Sequence, residues 1–248
     1  MTIIPDRAIT HKPLKEEIFE ALHREIIAGK FSPGDWLRQD VIAGQMGVSM
    51  TPVREALDLL VAAGLVERVA YRGVRVREMS EGDIAEAYGL RLLLEAEIAR
   101  EAAHNITPIQ LKALTEMVDQ MRTLTTLEDL ASVRQLSRSF HGAIAEASGN
   151  KLLIRLYAIV ANAFPDWLLY EALFRKPELL VESMNANHRE HEEIVESLRA
   201  RDGKAAIKSS IEHVLESGKW LKEHLHIPAA LLREKEEPLL VLVEKNNR

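Results

Sequence analysis

The 248-residue sequence has no cysteine. That excludes a disulfide framework and any thiolate metal site, so a bound metal would have to use histidine and carboxylate ligands. Aromatic residues are only 5% of the chain, and its core must therefore be built from Leu, Ile, Val and Ala. Long hydrophobic runs are also missing. The first residues carry Asp6, Arg7, Lys12 and Lys15 and read as neither signal peptide nor membrane anchor. The expectation is a cytoplasmic protein without a membrane partner. A content of 47% hydrophobic and 28% charged residues is that of a globular chain, and its length suggests two domains.

A net charge of -6 argues against indiscriminate coating of nucleic acid, but the charge is unevenly spread. Residues 1–78 hold eleven of the 32 Lys/Arg and eleven of the 38 Asp/Glu, so the acidic excess lies entirely beyond them. Within residues 48–77 five arginines face three acids.

Apolar residues at helical spacing from Leu14 to Ala28, closed by Gly29, predict a first helix. A turn-rich connector, residues 31–36, follows and ends near Leu37. A short helix over residues 39–46, a break at Gly47-Val48 and a helix over 49–63 come next, with Ser49 as N-cap and Pro52 in the first turn. Residues 65–69 and 73–77 are β-type runs joined by Ala70-Tyr71-Arg72, which describes a hairpin.

Beyond Met79 the pattern is helical: one helix from Ser80 and another from Thr107, then residues 127–147, 151–171, 177–200 and 203–225. The tail from Pro228 mixes a charged cluster, a proline and a β-branched run, leaving open a short strand there. The fold class is mainly α: an N-terminal winged helix-turn-helix over residues 10–78, an all-helical bundle over 79–226 and a tail over 227–248.

Helix, glycine turn and hydroxyl-opened second helix form the geometry that presents a helix N-terminus to the major groove of DNA. Ser49 and Thr51 are candidate phosphate contacts, Met50 lies between them, and Arg54, one turn on, can reach a guanine edge or a phosphate. Arg72 and Gly73 at the hairpin tip suit the adjacent minor groove.

The runs GVSMTPVREAL and LVAAGLVERVAYRGVRV resemble the signature of GntR-type regulators. The helical remainder resembles the FadR subfamily with its FCD effector domain. The resemblance spans residues 14–225 and implies a non-enzymatic, homodimeric regulator that binds operator DNA and answers to a small effector. Two positions depart from the family pattern. Met50 stands where an arginine is usual, and Gln39 where an acidic residue is usual, so the operator sequence does not carry over.

His141, His191 and His213 lie on three different predicted helices beside apolar residues such as Phe140, Ile144, Ile194 and Leu198. Spacing alone leaves open whether they scatter or converge. The FCD resemblance implies that they match three metal-binding histidines, with Zn or Ni as the expected ion. The family's fourth ligand is usually an aspartate four residues before the first histidine. Here that residue is Ser137, which points to a weak or effector-assisted site. His188 is expected at the surface.

Arg91 and Glu95 read either as a surface i, i+4 ion pair or, by the resemblance, as part of the cavity in which Arg91 holds a carboxylate effector. Asn150 reads as a turn residue. Asp166, Trp167 and Tyr170 have either a pocket or a core role. Two other functions are consistent with the histidines: a metal sensor without an organic ligand, and a metalloenzyme with Glu190 or Glu192 as base. The hairpin disfavours the enzyme.

Overall fold

The computed structural model describes residues 13–27, 30–164, 173 and 176–245. Asp166, Trp167 and Tyr170 lie outside the described residues. The chain forms two compact units that divide at Arg77/Glu78.

In the first unit, α1 (Leu14–Ile27) buries Ile18, Leu22 and Ile26, which share one face at four-residue spacing. Helix α2 (Gln39–Met46) stops at Gly47, whose φ of 67° is left-handed, and the Val48 N–H donates to the Ala43 carbonyl at 3.0 Å. Helix α3 (Met50–Ala62) follows at once and buries Val53, Ala56, Leu57 and Leu60. The three strands are β1 (Trp36–Leu37), β2 (Val66–Val69) and β3 (Gly73–Val76), antiparallel in the order β1-β3-β2. Val69 pairs with Gly73, leaving Ala70, Tyr71 and Arg72 as the hairpin tip. Val74 and Val76 point into the core while the alternate residues Gly73 and Arg75 do not. The connector expected to end in a plain turn thus closes with a short strand. Trp36 pairs with Arg75 and Leu37 with Val74.

Among the described residues the regular elements of the second unit are all helical. Helix α4 (Glu81–Asn105) opens with a reciprocal capping box between Ser80 and Asp83, and α5 (Pro108–Thr123) with one between Thr107 and Gln110. Then come α6 (Leu130–Ala147), α7 (Lys151–Ala163), α8 (Leu180–Arg199), α9 (Gly203–His224) and α10 (Ala229–Lys245). Asn150 is the N-cap of α7, its side chain accepting from the Leu152 and Leu153 amides, and Asp202 caps α9 in the same way. Helix α4 is the axis of the unit and packs against α6, α7, α9 and α10.

Among the described residues, three apolar clusters lie in the unit. One surrounds Phe140, Ile144, Ile194 and Leu198, the second Tyr88, Leu92, Val214 and Leu221, and a small third joins Leu130, Leu173 and Leu180. The tail corrects the expectation of a strand: it is α10, and its Leu232 and Leu239, seven residues apart, join the second cluster. Burial against α4 overrides the β-branched character of the run after Pro238.

The buried Tyr88 hydroxyl donates to Glu236 Oε1 at 2.8 Å. A Cβ at Gly218 on α9 would lie 2.3 Å from that hydroxyl oxygen and 2.6 Å from the ring carbon bearing it. Tyr88 is fully buried, so the ring must shift against packed neighbours. Gly218→Ala should therefore lower stability by about 1–3 kcal/mol, read as an earlier urea midpoint with unchanged slope.

Candidate DNA interface and metal centre

Ser49 has the extended backbone of an N-cap, but its hydroxyl makes no bond to the helix it opens. The hydroxyl and the orphan amides of the first turn of α3 are left for an external acceptor. Met50 is 57% exposed, and Thr51 and Arg54 are exposed beside it, one helical turn apart.

Four of the five arginines of the basic segment fall into two groups. Arg68 pairs with Asp58, and Arg75 donates to Glu67 at 2.6 Å. Among the described residues, Arg54 and the exposed Arg72 make no ion pair. These two are the cations available to phosphate or base edges. At the hairpin tip Gly73 has a φ of 117°, and Tyr71 is left-handed at 62° with its side chain fully exposed. A shallow groove beside the tip brings Trp36 and Arg38 next to Arg72 and Gly73. Neither Tyr71 nor Trp36 stands out in the sequence, where a lone aromatic reads as core. Their exposure at the tip is what marks them.

The second unit brings His141 of α6, His191 of α8 and His213 of α9 together. All three are buried, and one nitrogen from each lies within 4.8 Å of the others. His141 Nε2 and His191 Nε2 are 3.2 Å apart. Two imidazole nitrogens on one tetrahedral Zn²⁺ at ~2.05 Å lie about 3.3 Å apart, so this pair is spaced as ligands would be. The Phe140 ring, fully buried, packs at 4.6 Å from His191 and 5.3 Å from His141 and fixes both rings.

Burial, with His213 and His191 alongside, holds His141 well below the usual imidazole range. Burial, with His213 and His188 alongside, does the same for His191. Both are therefore neutral donors at neutral pH, the form a metal requires.

A cavity of about 140 Å³ opens beside the cluster, and both His141 and His213 line it. Ser137, one turn before His141 on α6, lines it too, so a hydroxyl occupies the place of a carboxylate. Arg91 and Arg138 add two guanidiniums and Glu190 a carboxylate. Arg91 and Glu95 form a buried pair, with Nε donating to Oε1 at 2.7 Å, rather than a surface one, and Arg91 lines the cavity. The Arg91 guanidinium also sits 4.4 Å over the Phe164 ring. Phe164, Leu173 and Trp220 add apolar lining.

His188 corrects the expectation of a surface residue. Its side chain is 12% exposed, its Nε2 is buried without a partner, and its Nδ1 lies 3.5 Å from Glu192. Glu190 pairs with His213 and the buried Glu95 approaches His141, partnerships that residue spacing gave no means of finding.

A winged helix-turn-helix followed by a helical unit with a polar, histidine-floored cavity defines a DNA-binding regulator with a sensor domain. Residues 14–76 match the family of bacterial regulatory proteins, gntR family, and residues 86–216 match the FCD domain. The chain belongs to this family: it is a GntR-family transcriptional regulator with an FCD effector-binding domain and is not an enzyme. Such regulators bind operator DNA, and small-molecule effectors through the FCD domain.

The chain is 28% identical over 208 residues to a probable D-xylose utilization operon transcriptional repressor of Paenarthrobacter nicotinovorans, covering 84% of this chain and 88% of the relative. It is 26% identical to the HTH-type transcriptional repressor RspR of Escherichia coli, covering 86% and 90%. The solved structure of Escherichia coli McbR/YncC shares the fold with a TM-score of 0.59 at 21% identity, covering 85% of this chain and 97% of that one. Among the described residues no helix is long and apolar enough to cross a membrane.

Proposed function

We propose that His141, His191 and His213 hold one divalent ion, Zn or Ni, and that a small carboxylate entering the cavity completes its shell and controls DNA binding. The observation that carries this reading is the buried cluster of three imidazoles, two of which, His141 and His213, line a cavity that two arginines also line. With Ser137 in place of a carboxylate ligand, the ion keeps a coordination position for an anion. Arg138 and Arg91 favour that anion electrostatically. A sensor of metal alone would have no use for the cavity, so the organic effector is preferred.

A homodimer on an inverted repeat is the second part of the proposal. On the second unit α4 exposes Leu90 and Leu93, and α7, which packs against it, exposes Leu152, Leu156 and Ile159. An apolar face of this kind on adjoining helices fits burial against a second copy. Ile159→Asp should convert a dimer into a monomer in sedimentation velocity, and an unchanged sedimentation coefficient would place the interface elsewhere.

Thermal melting tests the sensor. Stripped protein should gain stability with Zn²⁺ or Ni²⁺, by about 2.7 kcal/mol at a hundredfold excess over Kd, and a carboxylate should add to it only when metal is present. Equal stabilisation by the carboxylate without metal would remove the ion from the effector site.

A further inference from the structure

Two carboxylates approach histidines of the triad, each at an Nδ1. Glu190 Oε2 lies 2.7 Å from His213 Nδ1, a full charge-assisted hydrogen bond. Glu95 Oε2 lies 3.6 Å from His141 Nδ1 and has no hydrogen-bond partner, although Glu95 is only 4% exposed. Its other oxygen, Oε1, already takes the Arg91 Nε–H at 2.7 Å.

A carboxylate kept only to pair with Arg91 would gain nothing by leaving a buried oxygen unpartnered and aimed at an imidazole, because that oxygen has lost its water. The donor nearest to it is His141 Nδ1, once that nitrogen carries the proton. Metal ligation through Nε2 imposes that tautomer and strengthens the N–H as a donor.

We propose that Glu95 and Glu190 are positioning residues of the metal centre. Glu95 holds His141, and Glu190 holds His213, each through Nδ1, so that both rings present Nε2 to the ion. Together they supply from behind the ligands the negative charge that Ser137 does not supply among them. The assignment rests on the metal reading above. His191 has no such support: its Nδ1 is buried without a partner, and its ring is held by packing on Phe140.

The test uses the full chain stripped of metal and titrated with Co²⁺ alone, with affinity read by chelator competition and geometry by the visible absorption of the bound ion. Glu95→Gln and Glu190→Gln should each weaken Co²⁺ binding by roughly 10- to 100-fold and shift the absorption bands, with the apo melting profile still cooperative. Should Glu95→Gln fail to fold because Arg91 loses its partner, Arg91→Gln with Glu95→Gln, read against Arg91→Gln alone, gives the same comparison. Wild-type affinity with unchanged spectra in both Gln variants would overturn the proposal. So would complete loss of binding in Glu190→Gln, which would make Glu190 a ligand. If the wild-type chain took up no Co²⁺ at all, the metal centre itself would fall, a result distinct from either.

Discussion

Replacing His191 with alanine is expected to lower the affinity for Zn²⁺ or Ni²⁺ by more than 100-fold, beyond the roughly 10- to 100-fold that loss of an outer partner costs. His191 is fully buried, and its Nε2 is 3.2 Å from that of His141, the spacing of two ligands on one ion. With Ser137 offering only a hydroxyl, two imidazoles would remain, and a divalent ion held by two neutral donors stays largely hydrated. The substitution also removes the ring packed on Phe140, so the apo protein should melt earlier. Calorimetric titration of stripped protein separates the two effects, because the stability loss is present without metal. Ser137→Asp should act in the opposite direction and tighten binding by roughly tenfold, about 1.4 kcal/mol. Retention of wild-type affinity in His191→Ala would place any metal elsewhere.

The second large effect concerns salt. Operator binding that rests on six to ten phosphate contacts should weaken by about 10³- to 10⁵-fold between roughly 50 and 200 mM salt. Arg54 on the second helix of the helix-turn-helix and Arg72 at the hairpin tip are exposed and make no ion pair among the described residues, so they should dominate the contact. Arg54→Ala is expected to cost about 1–3 kcal/mol, and if Arg54 reads a base the loss should concentrate on one operator position. Arg72→Ala should weaken all sequences alike and flatten the salt slope by about one unit per phosphate lost. Arg68→Ala and Arg75→Ala should change affinity little, since Asp58 and Glu67 already neutralise these side chains. A binding titration over a range of salt concentrations distinguishes all four. Equal losses from Arg54→Ala and Arg68→Ala would refute the division into available and paired cations.

The parts of the fold that local chemistry encodes were legible in the sequence. Gly47 ends α2, Ser49 opens α3, and Val74 and Val76 alternate with Gly73 and Arg75 in the hairpin, each a rule of a few neighbouring residues. Strand β1 was not legible, because two residues become a strand only by pairing with β3. The C-terminal helix α10 was not legible either, because its burial on α4 outweighs a run that reads as β.

The site divides in the same way. The histidines are separated by 50 and 22 residues, and their convergence depends on how α6, α8 and α9 pack, which spacing alone left open. The resemblance to a family suggested it. Glu95 approaching His141, Glu190 on His213 and the inward-facing His188 are likewise products of packing. Which arginines remain available for DNA was equally hidden, since Arg68 is neutralised by an aspartate ten residues away.

The central claim is that a metal at the triad couples a carboxylate to DNA binding. Fluorescence anisotropy of labelled promoter DNA, titrated with metal-loaded or chelator-stripped protein against a panel of small carboxylates, tests it most directly. A carboxylate should shift DNA affinity by roughly 5- to 150-fold in the loaded protein, and by nothing in the stripped protein or in His213→Ala. The same shift in stripped protein and in His213→Ala would contradict the account.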